Sequence, residues 1–160
     1  MDTQREQVVD LLISHSQVLL RSRPYDERSS QWGEGNVEQG AVLHPDYIIF
    51  DPLPDEEFGA NVHVILADEF EMDEGAQRCI VVPFAITDPN AVEVASAAES
   101  FDIELNLTEK NYAVYFEICE GDEVFYKFTL VKADGPVQPR FLIEDEWGGE
   151  EDLPLTLGYF

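Results

Sequence analysis

Apolar and polar positions alternate along most of this chain, and a period of two is the mark of strands with one face buried. Phe101, Ile103 and Leu105 alternate with Asp102, Glu104 and Asn106, while Val62, Val64 and Leu66 alternate with Asn61, His63 and Ala67. Each set predicts a half-buried strand. Arg78 to Thr87 is a more continuous apolar run, suited to a buried strand. Pro83 within it has no amide hydrogen to donate to a ladder, so the run is expected at a sheet edge or bulged at that point. In Asn111 to Lys132, Tyr112, Val114, Phe116 and Ile118 line one face before Glu120-Gly121-Asp122-Glu123, and Val124, Tyr126, Phe128 and Leu130 resume after it. That is the pattern of a β-hairpin with an acidic, glycine-bearing turn.

The segment Leu11 to Leu20 carries helix-compatible spacing at Val8, Leu11, Leu12 and Val18. Leu11, Ile13 and the Ser14-His15-Ser16 interruption favour a strand instead, following a short helical turn at the N-terminus. Asn36 is placed to cap a short helix, Val37 to Val42, and Tyr47 to Phe50 predicts another strand. Glycines and prolines gather between the apolar runs, at Asp51-Pro52-Leu53-Pro54, Asp88-Pro89-Asn90 and Gly135-Pro136-Val137-Gln138-Pro139. Strands at such intervals predict an all-β fold, an antiparallel β-sandwich of about seven or eight strands with one short helix. No repeat or long linker divides the chain, so residues 1–160 are read as a single acidic β-sandwich domain.

Charge changes this picture most. The 160 residues carry 34 Asp and Glu against nine Lys and Arg, a formal net charge of −25 at pH 7. A field of that sign favours cationic partners and repels nucleic acid, anionic membrane and acidic substrates. The partner expected is a basic protein. Adaptation of a whole proteome to salt would produce the same acidity without a partner. With 44% hydrophobic and 11% aromatic residues the chain has the makings of a core, unlike a disordered acidic tail. The first residues, with Asp2 and Glu6, lack the basic start and apolar core of a signal peptide, and no stretch approaches the roughly 20 apolar residues of a membrane span. A cytoplasmic location is expected. Cys79 and Cys119 each sit in an apolar run without metal-ligand spacing, which favours buried free thiols and leaves a single cross-strand disulfide as the alternative.

Two acidic blocks hold embedded aromatic residues. Asp68, Glu69, Phe70, Glu71, Asp73 and Glu74 join two predicted strands, and Glu144, Asp145, Glu146, Trp147, Glu150, Glu151 and Asp152 follow the last long apolar run. An aromatic among carboxylates offers a partner both field and an anchoring contact, so these residues are the candidate partner-binding surface. Phe70 and Trp147 could equally turn inward as satellite cores. Dense carboxylates can also occupy the basic cleft of a nucleic-acid enzyme, since they present the charge that DNA presents. Asp68, Glu69, Asp73 and Glu74 could alternatively hold Ca²⁺, although the calcium-loop spacing of an EF-hand is absent. No nucleophile elbow, zinc-protease helix, phosphate loop or dinucleotide fingerprint is present, and His15, His44 and His63 share no spacing. No catalytic residue, metal site or cofactor is assigned.

Several landmarks resemble the competence protein J family, inhibitors of the DNA-entry nuclease of bacterial transformation. They are Ile13-Ser14 with Gln17, Trp32 followed by Gly40, the strand Tyr47 to Phe50, Val82-Pro83-Phe84, and Phe101-Asp102-Ile103 leading into Tyr112. The resemblance spans residues 10 to 132. It implies a cytoplasmic protein that binds and inhibits a nuclease, or an immunity-type relative directed at a nuclease toxin. Gly135 to Phe160, with its acidic Trp-containing block, has no counterpart in the resemblance.

Overall fold

The computed structural model describes residues 5–12, 17–52, 59–96, 99–121 and 123–160. Ile13 to Ser16, Leu53, Pro54 and Asp122, which enter the readings above, lie outside the described residues. The alternating pattern becomes two sheets. The chain runs through β1 (Arg5–Leu12), then β2 (Val18–Arg21), β3 (Ala41–His44) and β4 (Tyr47–Phe50), then β5 (Gly59–Ala67) and β6 (Ala76–Ala85). It continues through β7 (Glu93–Ala95), β8 (Ser100–Asp102), β9 (Asn111–Glu120), β10 (Val124–Lys132) and β11 (Arg140–Phe141). One sheet has the order β1-β5-β10-β9-β6-β11 and the other β3-β4-β2-β7-β8. The chain therefore leaves the six-stranded sheet twice, at β2 and at β7, to build the five-stranded one.

The inward positions are those the period of two selects. Val62 and Val64 of β5, Ile80, Val82 and Phe84 of β6, Val114, Phe116 and Ile118 of β9 and Tyr126, Phe128 and Leu130 of β10 meet Leu20, Leu43, Ile48 and Phe50 from the facing sheet. Phe50 stacks on Phe116 with ring centroids 4.2 Å apart. Burying apolar surface at about 25 cal/mol per Å² is what holds the two sheets together.

The all-β class, the strand Tyr47–Phe50 and the hairpin β9–β10 appear as the pattern predicts. Other details are corrected. Eleven strands are present among the described residues, more than seven or eight: Leu11 to Leu20 spans parts of two strands, β3 begins where the pattern predicts helix, and β7 and β11 are too short to give a periodic signal. The pairing is antiparallel except between β5 and β10, which run parallel. Residues 5–12 are strand, with no helical turn in that span. The short helix α1 is Glu34–Gln39, capped at its start by Gly33, and Val42 belongs to β3. Asn36 lies inside the helix, where its Oδ1 accepts the Gly33 amide at 2.9 Å. Gly40 ends the helix at a φ of 79°, the left-handed conformation that favours glycine. The strand at Phe101 stops at Asp102, and Ile103 and Leu105 pack on the core from a loop. Pro83 fits the expectation of an edge: β11 pairs with β6 only at Ile80 and Val81, leaving Pro83 beyond its reach.

Each sheet also has a covered outer face. On the five-stranded sheet, Trp32 from the connection between β2 and β3 packs on Leu19, Val42, Tyr47, Ile49 and Ala95. On the six-stranded sheet the covering segment is the one between β5 and β6, which carries the first acidic block. Beyond β10 the chain wraps one edge. β11 extends the six-stranded sheet, Leu155 enters the core, and Asn36 holds Gly158 and Phe160 through its side chain.

Candidate partner-binding surface

The first block is strung across a sheet rather than gathered at one end. It leaves β5 at Asp68, where that residue lines a shallow depression with Arg5, Glu109 and Lys132. Phe70 then lies flat on Tyr115 of β9, ring centroids 4.0 Å apart and 3° from coplanar. Asp73 is half-buried: its carboxylate accepts the Gly75 amide at 2.8 Å and meets the Lys127 ammonium at 3.3 Å. The Gly75 amide first, and then Lys127, hold the Asp73 carboxyl below the usual carboxylate range. Phe70 and Asp73 thus fasten the block to the sheet, and Glu69, Glu71 and Glu74 stay exposed.

Beneath it lies Glu117 of β9, buried completely. One oxygen accepts the Asp73 amide at 2.8 Å and the other has no hydrogen-bond partner. Burial pushes this carboxyl up from its ordinary value, against the smaller effects of the Asp73 amide and Lys127. Cys79 sits opposite Glu117 on β6, and Cys119 lies two residues further along β9. Both thiols are free and buried, as expected, and burial drives both to a high pKa that leaves them unreactive.

The second block divides into surface and interior. Glu144, Glu146, Glu150, Glu151 and Asp152 are exposed. The Asp145 side chain has no exposure at all. Its oxygens take the Arg78 Nε at 2.7 Å and an Arg78 Nη at 3.1 Å, forming a two-point pair. One of them also accepts the amides of Trp147 and Gly149, each at 2.9 Å. A Cβ at Gly149 would collide with this carboxylate, so the turn requires glycine there. Burial alone would raise the Asp145 carboxyl; Arg78 and the two amides outweigh it and hold it below the usual range. Arg78 is itself flanked by the rings of Phe141 and Trp147, at 5.0 and 5.8 Å from its guanidinium carbon. Asp145 is therefore the residue that shapes the block, while its neighbours face solvent. Trp147 combines both sequence readings, being half-buried against Arg78 and still lining a surface cleft.

Part of the two blocks converges. The Glu120 amide donates to the Gly75 carbonyl at 2.8 Å, which sets the end of the first block beside the β9–β10 turn. Glu120, Glu146 and Trp147 line one cleft of about 300 Å³, and Gln77 is common to that cleft and to a neighbouring one lined by Glu144. Glu74, Glu120, Glu144 and Glu146 thus gather at one end of the six-stranded sheet. Asp68 and Glu69 lie toward its opposite end. Sequence reasoning did not assign Glu120 or Gln77 to the site. The signal was present, because the acidic hairpin turn and the start of the neighbouring strand β6 must meet once β6 pairs with β9.

A larger concavity of about 610 Å³ lies on the five-stranded sheet, lined by Arg21, Tyr25, Glu27, Tyr47 and Glu99 among others. Its charges are mixed, and Arg21 is already paired with Glu93 at 3.0 Å. Arg23, Lys127 and Lys132 are likewise in ion pairs, with Asp46, Asp73 and Glu109. Few cations remain to offset the acidic surface. Among the described residues no three His, Cys, Asp or Glu side chains are grouped to hold a metal ion. Among the same residues no helix is long and apolar enough to cross a membrane.

No curated protein matches the chain. Among solved structures it resembles the crystal structure of ComJ from Bacillus subtilis, described as an inhibitor of the DNA-degrading activity of NucA. That likeness covers 83% of this chain and 99% of that one, with a TM-score of 0.66 and 17% identity, so the two share a fold. The sequence pattern of the family described as Competence protein J matches residues 10–131, which take in both sheets except for most of β1, the last residue of β10 and the short β11. The chain belongs to the competence protein J family.

Proposed function

We propose that this protein inhibits a nuclease by seating an acidic face over the positively charged cleft in which the nuclease binds DNA. The observation that carries the reading is the gathering of Glu74, Glu120, Glu144 and Glu146 at one end of the six-stranded sheet, in a member of a family whose fold serves nuclease inhibition in ComJ. The carboxylates stand in for phosphates, and the rigid sheet fixes their spacing. Such inhibition requires no catalytic residue, cofactor or nucleic acid. The partner is a basic protein, the exposed acids of both blocks steer its approach, and the encounter takes place in the cytoplasm away from membranes.

The test is a DNA-degradation assay with a purified nuclease of the NucA kind from the same organism, titrated with this protein at low and moderate salt. Stoichiometric inhibition that weakens as salt rises supports the reading. Full nuclease activity in the presence of excess protein at low salt overturns it.

A further inference from the structure

We infer that the cleft beside Trp147 is a socket for a single arginine side chain projecting from a basic protein partner. This deepens the inhibitor reading and rests on it for the partner's identity, while the socket's chemistry stands on its own geometry. Ile118, Cys119, Val124 and Trp147 give the cleft of about 300 Å³ an apolar lining, completed by Gln77 and by the exposed residues Glu120 and Glu146. Among the described residues neither carboxylate is paired with a cation of this chain. An apolar peptide placed here would bury those acids unpaired, and an anion would be repelled by them. A cation on an aliphatic stem satisfies the apolar lining and the acids together.

Arginine suits the site better than lysine. Its guanidinium is flat, weakly hydrated and stacks on aromatic faces, and its five donors can reach two carboxylates at once. Lysine would bring a compact, strongly hydrated ammonium into a narrow space. The indole is already positioned by an arginine of this chain, with Arg78 neutralised by Asp145 behind it. That support fixes the ring before any partner arrives, so little ordering remains for binding to impose. The adjacent depression beside Glu144 continues the acidic lining away from the socket.

Two measurements on the full chain test the socket. In the first, the indole N–H resonances of Trp147 and Trp32 are followed by NMR while a short Gly/Ser peptide with one central arginine is added at low salt. Trp32 packs on the outer face of the other sheet and serves as the internal control. A saturable shift of Trp147 alone, abolished in Glu146→Gln, supports the inference. Equal movement of both indoles overturns the socket, and an equal effect of the lysine peptide overturns the choice of arginine. In the second, affinity for the nuclease is compared between Glu120→Gln/Glu146→Gln and Glu34→Gln/Glu38→Gln, which remove the same formal charge from different places. The first pair is expected to lose about tenfold or more and the second about twofold or less, as central contacts outweigh rim charge. Equal losses in the two pairs overturn the socket and leave the inhibitor reading in place. If the nuclease is not bound at all yet Trp147 titrates with the arginine peptide, the inhibitor reading falls and the socket stands.

Discussion

Asp145 and Arg78, distant in sequence, form a bidentate ion pair from which water is excluded on both sides, with the arginine side chain 2% exposed and the aspartate not at all. The pair joins the chain beyond β10 to the six-stranded sheet. Removing one partner of such a pair leaves a buried charge without compensation, a loss of about 3–5 kcal/mol. Asp145→Ala is therefore expected to lower unfolding stability by about that amount in urea denaturation. Glu144→Ala, one position away and exposed, should change it by no more than about 0.5 kcal/mol.

The same pair sets the response to acid. A carboxyl held below its unfolded value contributes stability that is present above the unfolded pKa and is lost as pH falls through the folded one. Asp145 and Asp73 both have that sign. Thermal melts of the wild type are expected to lose a component below about pH 4 that Asp145→Asn no longer shows, since asparagine cannot titrate there.

Glu117 has the opposite sign. Its folded pKa is raised by burial, so its contribution is fully present below the unfolded value and lost as pH rises through the folded one. Glutamine matches the shape of the protonated acid and can still accept the Asp73 amide. Relative to the wild type, Glu117→Gln should gain stability progressively as pH is raised from about 4 toward neutrality. A constant difference between the two proteins across that range would contradict the assignment.

Phe70 lies flat on Tyr115 and fastens the first acidic block to the sheet. Phe70→Ala removes an aromatic pair that contributes about 0.5–1.5 kcal/mol beyond its buried area. Hydrogen exchange at the Asp73 amide, bonded to Glu117 of β9, and at the Gly75 amide, bonded to Asp73, should then accelerate. Exchange in the hairpin β9–β10 should remain slow.

Ending the chain after Asp134 would uncover the β6 edge at Ile80 and Val81, remove Phe141 and Leu155 from the core and leave Arg78 without its carboxylate. The shortened protein is expected not to fold. Adding Arg78→Leu to the truncation should recover part of the lost stability in circular-dichroism melts, because the unpaired charge is then absent.

The period of two was enough to find β5, β9 and β10, and a continuous apolar run to find β6, since each is long and contributes to the common core. The hydrophobic pattern could not find β7 or β11, of three and two residues, whose pairing is decided by neighbours remote in sequence. Asn36 misled in an instructive way: its amide side chain does bond to the start of the helix, but reaches back from within it to Gly33. Charge density marks the acidic blocks as segments of the chain. It could not separate Asp145 from Glu144 and Glu146, because that distinction depends on Arg78, which lies in a strand the sequence reads only as an apolar run. Nor could it bring Glu120 to Trp147 without the pairing of β6 with β9.

The parallel contact of β5 with β10 imposes an order of assembly. Among the described strands β1 pairs with β5 alone, and β5 joins the rest of its sheet through β10, whose own local partner is β9. A nascent chain has already exposed β1, the five-stranded sheet's first three strands and β5 before β10 exists. Because that seam is non-local, its formation carries the entropy cost of closing a long loop, and such topologies fold slowly. During that interval the apolar edge of β5 is open, and a strongly acidic chain that repels its own copies is protected from pairing with them while it waits.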